Sequence, residues 1–275
     1  MEPRYASELL FGSSVCEWQG SEVAKLLDYI AESRVKKGEL LFAADGLSKF
    51  YGKDAAIEGV SFEVRAGDCV GLIGPNGGGK TTLINLILGF MPPSSGAIAF
   101  HSVLSTPTQR GLNTGIMLDI PAVPYGLSVI RYFSLEARHR QLNDSDVYRY
   151  INDFDLASKR KKSFKSLSQG WKRRVLLVCL LMLSPEFLVL DEPTNSLDIE
   201  GITWLREIIK ARTQRGLTTF VSSHNHHELS QVVTRTLILK RQLRYNGDLA
   251  DLAKDGGDLE KAYFRLTDDS AVQYG

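Results

Sequence analysis

The run Gly74-Pro75-Asn76-Gly77-Gly78-Gly79-Lys80-Thr81-Thr82 constrains this chain more than any other stretch. It satisfies the spacing G-x-x-x-x-G-K-[ST] and sits between a buried-type apolar run, Cys69 to Ile73, and a helical pattern that begins near Lys80. Where a strand turns through glycines straight into a helix, backbone N–H groups converge on the helix N-terminus and its partial positive charge adds to theirs. Such a loop is suited to β- and γ-phosphates. Lys80 would neutralise them, and Thr81 would offer its hydroxyl to Mg2+, an ion that prefers hard oxygen ligands. The loop with its context predicts ATP and Mg2+ as ligands of Gly74 through Thr82.

The rest of the chain supplies a frame for that loop. From Leu41 onward, short runs rich in apolar and β-branched residues alternate with helical patterns, which predicts an α/β layered domain with a largely parallel sheet. Val60-Phe62-Val64 alternates, and further strands are expected at Ala97 to Phe100, Phe187 to Leu190, Thr218 to Ser222 and Thr236 to Leu239. Most are too continuously apolar for a sheet with only one covered face. Between Pro121 and Pro185 the pattern turns helical, over Val129 to Arg138, Asp144 to Phe154 and Gln169 to Leu183, as if helices were inserted into the α/β core. The run Lys159 to Lys162 reads as a solvated basic loop.

Composition excludes more than it selects. With 275 residues, 43% of them hydrophobic, the chain can bury a large core, and one large domain with attachments fits that length. A net charge of +1 offers no bulk attraction to nucleic acid or acidic lipid, so no nucleic-acid partner is expected. Cys16, Cys69 and Cys179 lie far apart and form no C-x-x-C, which suggests neither a disulfide framework nor a zinc site, and a reducing cytosol. The longest apolar run, Val175 to Leu183, falls well short of the roughly 20 residues a membrane helix needs and reads as a buried helix. Residues 1 to 40 read as a separate extension, with a helix capped near Ser21 whose Val23, Leu26, Leu27 and Ile30 share a face, closed by the basic turn Lys36-Lys37-Gly38.

A second constellation lies downstream. Phe187 to Leu190 is an apolar strand that ends in Asp191 and Glu192. If that strand neighbours the one before the phosphate loop, Asp191 comes close enough to hold Mg2+ through water, and Glu192 can polarise the water that attacks the γ-phosphate.

Between the two elements stands Leu167-Ser168-Gln169-Gly170-Trp171, which resembles the LSGGQ signature of the nucleotide-binding subunits of ATP-binding cassette (ABC) transporters. The resemblance extends over about residues 40 to 267. Gln169 and Trp171 depart from the signature, while Ser168 and Gly170, the phosphate-contacting positions, are kept. The resemblance implies a P-loop ATPase fold with a largely parallel core sheet, an antiparallel β subdomain and a helical insertion. It divides the chain into an extension at 1–40, an ATPase domain at 41–245 with its helical subdomain at about 121–185, and a short helical tail at 246–275. It further implies a head-to-tail dimer, a homodimer by expectation, in which Ser168 and Gly170 of one copy close over ATP held by the other.

Other positions carry the same resemblance. Tyr51 corresponds to the aromatic that stacks on adenine, with Phe50 beside it as the competing choice. Asp119 falls where the family usually places a glutamine that touches Mg2+ and couples to the membrane subunit. Ser196-Leu197-Asp198 resembles the loop that joins the two sites of the dimer. Ser222-Ser223-His224 resembles the switch whose histidine contacts the γ-phosphate and orients the catalytic acid; His226, His227 and Glu228 are not carried over. The expected catalytic set is therefore Glu192, His224 and Lys80, with Thr81, Asp191 and Asp119 toward the metal. The implied function is ATP hydrolysis that drives a separate integral membrane permease from the inner face of the cell membrane. The tail and Asp119 resemble exporters of the ABC-2 type. The rival class is a soluble cassette ATPase acting on a non-transport partner such as ribosomes, chromosomes or a cofactor-assembly system.

Overall fold

A computed structural model describes residues 30–119, 125–254 and 259–267. Its regular structure begins with a hairpin, β1 (Leu40–Tyr51) against β2 (Asp54–Arg65), followed by β3 (Cys69–Ile73) and α1 (Lys80–Leu88). Next come β4 (Ser95–Phe100), α2 (Pro107–Asn113) and β5 (Thr114–Met117). The helices α3 (Val129–His139), α4 (Asp144–Asp153) and α5 (Gln169–Met182) precede β6 (Phe187–Asp191), α6 (Ile199–Gln214), β7 (Thr218–Ser222) and α7 (His226–Ser230). The order closes with β8 (Arg235–Lys240), β9 (Gln242–Asp248), α8 (Leu249–Lys254) and α9 (Leu259–Thr267).

Two sheets result. The larger has the order β5-β6-β7-β3-β8-β9 and is parallel except for β9, which runs antiparallel to β8. The smaller is antiparallel, in the order β2-β1-β4. Strands β3, β6 and β7 are buried along their whole length, which requires cover on both faces. Alternate residues supply the two faces. Val70, Leu72, Phe187, Val189 and Phe220 pack toward the small sheet and α1, whereas Ile73, Leu188, Leu190 and Val221 pack toward the core that includes α3, α4 and α5. Phe42 of β1 joins the layers, its ring 5.3 Å from Phe187 and 6.0 Å from Phe62, both edge-on. Edge-to-face packing of this kind adds about 0.5–1.5 kcal/mol to simple burial.

The continuously apolar strands fall where the pattern placed them: Cys69–Ile73 and Thr218–Ser222 coincide, and the others differ by a residue or two at an end. Helices α3, α4 and α5 start at the expected residues and stop one residue from the expected ends. The patterns did not reveal β1, β5, β9, α2 or α6. Strand β1 carries Gly46 at φ 58 and a register shift between Ala44 and Leu47, which breaks its alternation. Strand β9 is a half-exposed edge strand, so its sequence is polar.

One expectation needs correction. The strand ending in Asp191 does not neighbour the strand before the phosphate loop, because β7 lies between them. The parallel registers still keep the two ends level, with Leu72 opposite Ser222 and Ser222 opposite Asp191. Asp191 thus reaches the loop's end of the sheet across a strand rather than beside it.

The expected helix near Val23, Leu26 and Leu27 lies outside the described residues. From Ile30 onward the extension runs against the main body: Ile30 and Val35 are buried, and Ser33 and Arg34 bind the buried carboxylate of Glu186 at 2.7 Å each. The basic turn is present, with Glu39 N donating to Lys36 O at 2.9 Å. Among the described residues no helix is long and apolar enough to cross a membrane.

Candidate active site

The phosphate loop leaves β3 at Gly74 and enters α1 at Lys80. Its path depends on missing side chains. A Cβ on Gly74 would stand 2.1 Å from the carbonyl oxygen of Leu239, and one on Gly79 would stand 2.6 Å from that of Ala56. Gly77 and Gly79 have φ of 74 and 98, a region that L residues with side chains avoid. The turn is closed by Gly78 N donating to Pro75 O at 3.0 Å and held from outside by Arg241 N donating to Gly78 O at 2.9 Å.

The start of α1 has no side-chain cap, since Gly79 stands at the capping position. By contrast α2, α4, α5, α6 and α7 are each capped by a Thr, Asn, Ser, Asp or Asn side chain. The first N–H groups of α1 have no acceptor within the helix, so the cradle fits an anion. Thr81 is exposed in that first turn, Thr82 half-buried, and Asn76 exposed at the loop's crest. Lys80 folds back over the loop, its Nζ donating to Gly74 O at 2.7 Å and Pro75 O at 3.2 Å. Burial pulls its ammonium below the ordinary lysine range, while the Glu192 and Asp191 carboxylates pull it back up. Those two acids therefore lie within electrostatic reach of the loop lysine.

At the end of β6, Asp191 is nearly buried, and its Oδ1 accepts from the fully buried Ser222 hydroxyl. The N–H of Glu192 donates to Ser222 O at 3.1 Å and Oγ at 3.2 Å. Glu192 itself adopts φ 48, an uncommon conformation for a residue with a side chain. Its Oε2 meets His224 Nδ1 at 2.8 Å, with the His224 side chain 69% exposed and that of Glu192 only 14%. An acid whose far oxygen is held by a solvent-facing imidazole is positioned to receive a proton from water at the surface. His226 turns away and packs on the ring of Tyr263 at 4.5 Å.

Asp119 joins this group from the end of the segment after β5. Its Oδ1 accepts from Asn195 Nδ2 at 2.8 Å and from Arg173 at 3.2 Å. Ser168 caps α5 through Trp171 N at 3.3 Å. Gly170 is pressed against the carbonyl of Ser196, 2.9 Å from where a Cβ would be. Among the described residues no hydrogen bond joins Ser168 or Gly170 to the loop from Gly74 to Thr82. Trp171 is flanked by cations, with Lys159 Nζ at 5.0 Å and the Arg174 guanidinium at 5.6 Å from its ring.

Tyr51 and Phe50 end β1, and both are exposed, Tyr51 at 53% and Phe50 at 40%. The Tyr51 hydroxyl meets Met91 Sδ at 3.4 Å. The structure thus gathers Lys80, Asp191, Glu192, His224 and Asp119 at one end of the sheet, while Gly170 lies against Ser196 and, among the described residues, neither it nor Ser168 hydrogen-bonds to the phosphate loop. Sequence reasoning missed Arg173, Asn195 and the hydrogen-bonding role of Ser222. The cluster Lys172-Arg173-Arg174 inside an otherwise apolar helix was the available signal, since a cation there must find a buried partner or turn to solvent.

Over residues 57–195 the chain matches the protein family described as ABC transporter. It is 34% identical over 179 residues to a lantibiotic transport ATP-binding protein of Streptococcus pyogenes, covering 65% of this chain and 77% of that one. It is 31% identical to the SkfA peptide export ATP-binding protein of Bacillus subtilis, covering 73% of this chain and 85% of that one. A solved structure of an ATP-binding subunit of an ABC transporter superposes with a TM-score of 0.76 at 27% identity, covering 83% of this chain and all of that one.

Proposed function

Because the chain belongs to the ABC transporter family as an ATP-binding subunit, we propose that it hydrolyses ATP between two copies of itself and so drives a separate membrane permease in the export direction. The observation that carries hydrolysis is the line Asp191–Ser222–Glu192–His224, drawn across two strands beside Lys80. Export is supported by the similarity to the lantibiotic transport and peptide export proteins.

The roles follow from chemistry. The amides of Gly74 to Thr82 and the Lys80 ammonium bind the β- and γ-phosphates, with Tyr51 offering a flat face to adenine. Glu192 polarises the attacking water, and His224 holds the acid in place while facing the γ-phosphate. The Thr81 hydroxyl and the Asp191 carboxylate are hard oxygen donors that fit Mg2+, and Asp119 would join them on leaving Asn195 and Arg173. When bound, the ion neutralises charge on the phosphate oxygens.

Ser168 and Gly170 complete the site in the opposite copy, where the capped start of α5 faces the γ-phosphate. ATP binding closes the pair; hydrolysis reopens it. Residues 41–245 form the cassette, with a helical subdomain at about 121–185 that meets the permease on the inner face of the cell membrane, an extension at 1–40 and a tail at 246–275.

The test is Glu192→Gln. It should bind ATP as the parent does, lose turnover by a factor on the order of 100 or more, and accumulate closed dimers on sizing columns. Unchanged turnover would remove Glu192 from the mechanism. Sedimentation with membranes and copurification with a polytopic protein test the transport role against a soluble one.

A further inference from the structure

Arg173 is 5% exposed, a guanidinium in the first turns of a helix that is apolar from Val175 to Met182. A guanidinium stays charged in proteins, so burial obliges it to find partners. Its partners come from two loops of the active site. One terminal nitrogen donates to the carbonyl of Glu192 at 3.1 Å. The other donates to the carbonyl of Asp119 at 2.5 Å and to its carboxylate at 3.2 Å. Asn195, three residues past Glu192, holds that same carboxylate oxygen at 2.8 Å.

The consequence falls on Glu192. Its φ of 48 is a conformation that a side chain disfavours, so the neighbours must impose it. Ser222 fixes the N–H of the residue, and its C=O accepts from the Arg173 guanidinium at 3.1 Å as well as from the Asn195 N–H at 3.3 Å, so both flanking peptide planes are set by hydrogen bonds and Arg173 makes the shorter of the two bonds on the carbonyl side. With the backbone pinned on both sides, the carboxylate points to His224.

We propose that Arg173 is a positioning residue for hydrolysis: it holds Glu192 in the left-handed conformation that meets His224 and ties that placement to Asp119. A shift of the Asp119 segment pulls on the same guanidinium that sets the acid. The proposal rests on Glu192 being the catalytic carboxylate, and the experiment separates the two claims.

The full chain is prepared as Arg173→Gln, Arg173→Lys, Asp119→Ala, the double variant Arg173→Gln/Asp119→Ala, and Glu192→Gln. Three quantities are read: affinity for a fluorescent ATP analogue, single-turnover hydrolysis at excess protein, and the NMR signal of the His224 imidazole, assigned by His224→Gln. Arg173→Gln should leave nucleotide affinity within about two-fold and slow hydrolysis about 10- to 100-fold, the range for a displaced catalytic group. Its His224 signal should move as it does in Glu192→Gln. Arg173→Lys, a point charge without the two-pronged reach, should fall between Arg173→Gln and the parent.

Asp119→Ala, at a side chain 46% exposed, should move the His224 signal less than Arg173→Gln. The double variant should shift the His224 signal no further than Arg173→Gln alone, because Asp119 reaches Glu192 only through that guanidinium. Additive shifts of that signal, or a His224 signal that stays put in Arg173→Gln, overturn the proposal. Should Arg173→Gln fail to fold, Asp119→Ala decides alone: an unmoved His224 signal overturns it. Undiminished hydrolysis by Glu192→Gln overturns the catalytic assignment instead, leaving the NMR arm to judge the positioning.

Discussion

Three glycines of one loop should respond to alanine very differently, and the reason is geometric. At Gly77 an added Cβ meets nothing within 4 Å, so the burden is the φ of 74 alone. A left-handed residue with a side chain costs about 1–2 kcal/mol, partly offset by about 0.4–1 kcal/mol from a less flexible unfolded chain. The net loss is about 1 kcal/mol. At Gly74 φ is ordinary, but the new atom would lie 2.1 Å from the carbonyl oxygen of Leu239, in the strand that pairs with β3. No side-chain rotation relieves a backbone clash, so β3 and β8 must part, at about 3 kcal/mol or more, the upper end of overpacking. Gly79 combines both, with φ 98 and contacts of 2.5 Å to Ile57 and 2.6 Å to the Ala56 carbonyl, for about 3–5 kcal/mol.

In a chain of this size each kcal/mol lowers the melting temperature by about 2–4 °C. Thermal unfolding without nucleotide should therefore place Gly77→Ala about 2–4 °C below the parent, Gly74→Ala at least about 6 °C below, and Gly79→Ala lowest. If Gly77→Ala proved as damaging as Gly74→Ala, steric approach would not be what selects glycine in this loop, and the reasoning would be refuted.

Lys80→Ala should abolish ATP binding or turnover, whereas Ser168→Arg should bind ATP as a monomer yet fail to close the dimer; equal nucleotide affinities for the two would contradict a shared site. Arg212, only 1% exposed, donates to the carbonyls of Pro185 at 2.9 Å and Thr218 at 3.2 Å, so Arg212→Ala should cost about 3–5 kcal/mol in urea unfolding by stripping buried acceptors of their partner. Burial pushes the Cys69 thiol up to about 12, so the folded chain keeps a proton that the unfolded chain releases above its ordinary value of 9.0. That imbalance makes stability fall as pH rises above 9, by up to about 1.4 kcal/mol per pH unit, and leaves it untouched below; the slope should shrink in Cys69→Ala measured by urea unfolding beside the parent.

The legible parts of the fold share one physical property: their signals are local. A strand covered on both faces must be apolar throughout, so Cys69–Ile73, Phe187–Asp191 and Thr218–Ser222 announce themselves. The edge strand β9 and the bulged β1 do not, because their residues answer to solvent and to a break in register rather than to a period. Helix caps are similarly local: Ser168 and Asp198 each accept from a backbone N–H three residues on, at the start of α5 and α6.

The phosphate loop was determined by the sequence alone, since glycine spacing, lysine and helix start are all fixed within nine consecutive residues. The acids and the histidine were nameable as well, each at the end of an apolar strand. Only the tertiary structure decided how they meet. The insertion of β7 between β3 and β6 put Ser222 between the loop and Asp191, and the return of α5 beneath the sheet's end brought Arg173 to Glu192 and Asp119. Strand order and the partner of a buried charge depend on residues far apart along the chain, 54 positions in the case of Asp119 and Arg173, and no local pattern encodes them.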